Sequence, residues 1–119
     1  STPLIIAAEE GHLDVVSILI ENGANVNAQS KDGDTALIQA SEEGHFEIVK
    51  LLLNHGAKKD IPGFNKYTPL IITAEKGHLD IVSVLIENGA NVNAQSKDGD
   101  TALSCASQEG HFEIVKLLL

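Results

Sequence analysis

Four histidines, His12, His45, His78 and His111, recur at a step of 33 residues, each directly after a glycine. Imidazoles in register invite a metal reading, because neutral histidine nitrogens hold zinc at about 2.0–2.1 Å. Equivalent side chains on stacked helices, however, stand roughly 8–10 Å apart and cannot share one ion. A junction role, capping or packing between two helices, is the expectation for these four, and His55, in a helix-ending turn, is expected to be exposed. Asp32-Gly33-Asp34 and Asp98-Gly99-Asp100 place acids at alternate positions. A calcium loop also needs a bidentate Glu at its twelfth position, and counting from Asn25 or Asn27 finds none. Cys105, the single thiol, has no base marked out to activate it and reads as a small packing residue. No Ser/His/Asp arrangement, phosphate-cradling glycine loop or paired-carboxylate motif stands out, so no catalytic residue, metal or cofactor is expected.

The elements that position these residues follow from repetition. Thr2, Thr35, Thr68 and Thr101 keep the same step of 33, as do the turns at Gly23, Gly56 and Gly89. A longer period lies on top: residues 1–53 and 67–119 are identical at 45 of 53 positions. Within each unit, Thr before Pro3 or Pro69 is an N-cap before a proline at the first helical position, where the missing N–H costs nothing. The helix begun there carries Leu4, Ile5, Ala7 and Ala8 and stops at Gly11. A second helix follows with Leu13, Val16, Leu19 and Ile20 at helical spacing, Asp14 in its first turn, and Gly23 as terminator. Phe46 and Phe112, at the position of Leu13, are expected in the core. Asp-Gly steps such as Asp32-Gly33 suit tight hairpin turns between units. Helix pairs this short cannot bury their apolar faces alone and must stack on their neighbours. The expected fold is an all-α solenoid of antiparallel helix pairs joined by projecting turns.

Thr-Pro-Leu, Ala-Ala, Gly-His-Leu-Asp-Val-Val, Leu-Ile and Asn-Gly-Ala-Asn-Val-Asn-Ala, in units of 33, resemble the ankyrin repeat over the whole chain. The resemblance implies one domain over 1–119 with units near 1–29, 30–62, 63–95 and 96–119, as an excerpt of a longer array. It implies a non-catalytic scaffold that binds another protein. It also implies that Asn27 and Asn93, in Val-Asn-Ala turns with Leu19 and Leu85 upstream, occupy a position that asparaginyl hydroxylases modify, although the plain tolerance of Asn for turn geometry accounts for them. One departure is visible: the histidine of the family's Thr-Pro-Leu-His is replaced by Ile5, Ile38, Ile71 and Ser104, which implies a looser network between loops.

Charge and the resemblance together locate a binding face. Eight lysines, no arginine and seventeen acids give a net charge of -9, which disfavours nucleic acid and anionic membranes. With one cysteine and no apolar run near ~20 residues, the expected setting is cytoplasmic, or nuclear. The resemblance puts recognition on the turn tips and the exposed end of the first helix in each unit. Those positions hold Asp32, Asp34, Glu42, Glu43, Glu75, Asp98, Asp100 and Glu109, and most of the net charge gathers there. The third turn, Ile61 to Tyr67, is unlike its counterparts and adds Phe64, Asn65 and Tyr67. Exposed aromatics ringed by charge have the character of binding hot spots. The expected partner is a basic or extended protein segment, held by Phe64 and Tyr67 and steered by the acids. A second expectation, from the lack of polar capping units, is head-to-tail self-association through open apolar ends.

Overall fold

The computed structural model describes all 119 residues, Ser1 to Leu119. Eight helices follow in pairs: α1 Pro3–Glu10 with α2 Leu13–Glu21, α3 Ala36–Glu43 with α4 Phe46–Asn54, α5 Pro69–Lys76 with α6 Leu79–Glu87, and α7 Ala102–Glu109 with α8 Phe112–Leu118. A 3-10 turn, Phe64–Lys66, precedes α5. There are no strands, so the turns project without forming a sheet. The helix starts obey the expected chemistry. Thr2, Thr35, Thr68 and Thr101 each accept the N–H three residues on, at 3.1–3.2 Å. No helix is long and apolar enough to cross a membrane.

Consecutive pairs stack side by side into a body of 40 × 25 × 22 Å, about 10 Å of length per unit, the spacing of packed helices. The first helices, α1, α3, α5 and α7, pack more closely on one another than α2, α4, α6 and α8 do. Small residues make that approach possible: Ala8, Ala40, Ser41, Thr73, Ala74 and Ala106 are all fully buried. The stack therefore curves with its first helices on the inner side. The larger side chains fill the space between the two rows, with Leu37, Leu52, Leu70, Ile81 and Leu85 at most 2% exposed. Burial of each such side chain contributes about 1.5–3 kcal/mol.

The histidines join one unit to the next. His45 Nε2 lies 3.0 Å from the Glu9 carbonyl oxygen, His78 Nε2 3.2 Å from that of Glu42, and His111 Nε2 2.9 Å from that of Glu75. A carbonyl only accepts, so Nε2 carries the proton and donates. Each imidazole reaches its carbonyl across the glycine that ends the preceding first helix. A Cβ on Gly11, Gly44 or Gly77 would come within 2.8–2.9 Å of the ring. These glycines also sit at φ of +80°, +79° and +84°, where an L side chain is strained.

One expectation is corrected. Phe112 is 68% exposed and lies outside the core, while Phe46 is half-buried and packs against the core only from its edge. The first residue of a second helix lies at the outer rim, and the apolar stripe begins with Ile48 and Ile114, two residues later. Each ring is instead covered by the lysine one turn on, with Lys50 Nζ 5.2 Å from the Phe46 centroid and Lys116 Nζ 5.3 Å from that of Phe112.

Two stability measurements check this packing. Gly110, at φ +75°, has nothing within 4 Å of where an added Cβ would stand, and no imidazole lies against it. Gly110→Ala should therefore lose only about 1 kcal/mol from backbone strain, whereas Gly44→Ala should lose about 2–3 kcal/mol because the His78 hydrogen bond is displaced as well. Equal losses in urea titrations would remove the steric part of the argument. The buried Ser41 hydroxyl has no hydrogen-bond partner, while Ala8 and Ala74 occupy the equivalent sites. Ser41→Ala should raise stability by about 1 kcal/mol, read as a higher denaturation midpoint.

Candidate functional site

The inner side of the stack carries one individual feature, the third turn. The second and fourth turns are built alike. Ser30 N–H donates to the Asp34 carbonyl and Ser96 N–H to that of Asp100, both at 2.8 Å, with Gly33 and Gly99 at positive φ closing each turn. In the third turn Lys66 stands where those glycines stand. Asn65 and Lys66 both take positive φ, +58° and +61°, the only residues other than glycine that do so. Asn tolerates this conformation and Lys does not, so the turn is strained by about 1 kcal/mol or more.

The surroundings hold that strain in place. Phe64 N–H donates to Asp34 Oδ1 at 3.2 Å, and Lys97 N–H donates to the Asn65 carbonyl at 2.8 Å, which ties the third turn to both neighbours. The other Asp34 oxygen, Oδ2, accepts from Gln39 Nε2 at 3.2 Å. Gly63 lets the carboxylate approach, since a Cβ there would collide with Asp34 Oδ1 and press on Ile38. Ile38, in place of the histidine that the resemblance implies, thus supports the turn by apolar contact. The loops are not left loose; their bridges come from other residues. Asn27 supplies a further one, with Nδ2 donating to the Gly56 carbonyl at 3.2 Å and Oδ1 accepting from Lys58 N–H at 2.8 Å. Asp60 does the same for the next turn by accepting from Asn91 N–H at 3.0 Å.

Between the second and third turns, above α3 and α5, lies a hollow of about 430 Å³. Seven of the expected site residues meet there: Asp32, Asp34, Glu42, Phe64, Asn65, Tyr67 and Glu75. Glu43, Asp98, Asp100 and Glu109 lie outside it. Glu43 and Glu109 are exposed at the ends of α3 and α7, and Asp98 and Asp100 stand on the fourth turn. Phe64 is 65% exposed, and Tyr67 is half-buried beside it. Ile38 and Ile72 form an apolar floor and Lys76 stands at the mouth. The floor was not read from sequence, although Ile72 aligns with the polar Gln39 and with Cys105.

Burial pushes the Tyr67 phenol above its ordinary pKa, and the negative charges of Glu75, Asp100 and Asp98 push it further. The hydroxyl therefore stays protonated, able to donate a hydrogen bond near neutral pH. Burial also raises the Cys105 thiol, with Asp100 and Glu75 adding to the effect. It is held as the unreactive thiol. The single ion pair in the chain, Lys50 Nζ to Glu47 at 3.8 Å, lies on α4. None of the carboxylates around the hollow forms an ion pair with a lysine of the chain, although Lys76 stands beside them.

Comparison with known proteins agrees with this architecture. The family model described as ankyrin repeats, three copies, matches residues 1–63 and again 60–119. Over 36 residues, 30% of the chain, the sequence is 56% identical to the ankyrin repeat and KH domain-containing protein mask of Drosophila melanogaster and to the human ankyrin repeat and KH domain-containing protein 1. It is 50% identical, over the same length, to a rice protein named "Probable E3 ubiquitin-protein ligase XBOS33". These stretches amount to 1%, 1% and 7% of the relatives' own lengths. With both matches of the family model running end to end over four stacked helix pairs, the chain belongs to the ankyrin repeat family.

Proposed function

We propose that the chain is a non-catalytic recognition scaffold that takes a basic, extended protein segment on its inner face. Ankyrin repeats are in general protein-binding modules, and the finer reading rests on one observation. The third turn and the inner helices enclose a hollow that sets Phe64 and Tyr67 among four carboxylates and a single lysine. Aromatic side chains supply contact area, and the acids give sign and steering. Glu43, Asp98, Asp100 and Glu109 extend the negative field along the face and serve as outer steering charges. A reducing compartment, the cytoplasm or the nucleus, suits a chain with one unpaired buried thiol.

A second reading, head-to-tail association between copies of these 119 residues, is favoured by one observation. The last two units nearly duplicate the first two, so α7 and α8 of one copy against α1 and α2 of another would reproduce a junction already packed in this structure. His12 would then reach across the open Gly110. Sedimentation over a concentration range tests it: mass should rise with concentration and fall back in His12→Ala, and a constant monomer mass rejects the reading.

The scaffold reading is tested by binding of extended peptides of graded positive charge, followed by fluorescence anisotropy. Affinity should increase with peptide charge and fall as salt rises. Phe64→Ala with Tyr67→Ala should cost about 2 kcal/mol, roughly thirtyfold. Affinity indifferent to both the aromatic pair and salt would sink the proposal.

A further inference from the structure

We propose that the hollow between the second and third turns receives one arginine side chain of the partner segment, in preference to lysine. This rests on the scaffold reading and narrows it to a side chain. The hollow has three kinds of lining that together fit one occupant. Its floor, Ile38 and Ile72, is apolar and takes a methylene stem. One wall is Phe64, which is largely exposed and so offers a free ring face. The rim carries Asp32, Glu42 and Glu75, whose side chains take part in no hydrogen bond or ion pair of the chain. Asp34 is not counted with them, because both its oxygens are already occupied by Phe64 N–H and Gln39.

A long side chain with an apolar stem and a planar cationic head satisfies all three at once. The guanidinium stacks on an aromatic face and presents five N–H donors in a fork that suits carboxylates. An ammonium is a compact, strongly hydrated charge that gains less from a flat ring and gives up more water on entry. The receptor is also pre-ordered. Hydrogen bonds from both flanking turns fix the turn that carries Phe64, so little freedom is lost on binding. At about 430 Å³ the hollow has the size of a side-chain or small-ligand pocket and is too small for a folded element. Lys76 at the mouth is an exposed cation where the other units carry Glu10, Glu43 and Glu109, and it partly opposes the incoming charge.

The probes are three peptides, acetyl-Gly-Gly-Xaa-Gly-Gly-amide with Xaa arginine, lysine or citrulline, titrated into the isotopically labelled full chain and followed by amide chemical shifts. Arginine should produce saturating shifts centred on Phe64, Asn65 and Tyr67, with citrulline at least about tenfold weaker and lysine about threefold weaker. Phe64→Ala, whose ring is exposed and whose loss does not threaten folding, should weaken arginine binding about tenfold. Lys76→Glu should strengthen it. Equal binding of lysine and arginine would overturn this inference and leave the basic-segment scaffold standing. Shifts centred away from the third turn, or arginine binding unchanged in Phe64→Ala, would overturn it as well. No binding of either cationic peptide, together with no charge dependence in the peptide series above, would overturn both.

Discussion

The contact that the whole stack depends on is the reach of one imidazole across one glycine to a backbone carbonyl of the preceding unit. A helix of eight residues leaves several carbonyls at its end without intrahelical partners. Here one of them, on the second-to-last residue of α1, α3 or α5's closing turn, is satisfied by the next unit's histidine. Glycine is needed twice over, for its left-handed φ and because any Cβ would occupy the space of the ring. The bond therefore sets both how each pair turns and how far the next pair stands from it. With that spacing set, the small residues of the first helices can close up and the second helices spread.

The turns project beside the inner helices, and a hollow lies between the second and third of them, above α3 and α5. Only the third turn exploits this with aromatic side chains. Its strain, from Asn65 and Lys66 at positive φ, is offset by hydrogen bonds to Asp34 on one side and from Lys97 on the other. Asp34 thereby has a double place in the molecule: its charge belongs to the acidic face, while its oxygens hold the turn. An acid on this face is consequently not interchangeable with its neighbours.

Much of the architecture was legible in the sequence. Thr caps and closing glycines are local signals that recur every 33 residues, and the start and stop of each unit's first helix follow from them. The outward position of Phe112 was not legible, because periodicity alone does not tell the rim of a helix from its buried stripe when both are apolar. Nor was the part played by Ile38. From the sequence it is a missing histidine; in the structure it is the floor of the hollow and a support for Gly63.

By itself, then, the sequence determined the unit, its helices, the order in which they stack and the sign of the inner face, because these follow from short-range propensity and from counting. Which acids stand free and which are spent on neighbouring backbone, where Asn27 reaches, and how Phe64 and Tyr67 come to overlook Ile72 were decided only by tertiary structure. The bonds from Asn27 to Lys58 and from Asp34 to Phe64 join residues about 30 positions apart in the chain, and their geometry exists only once one unit has been laid against the next.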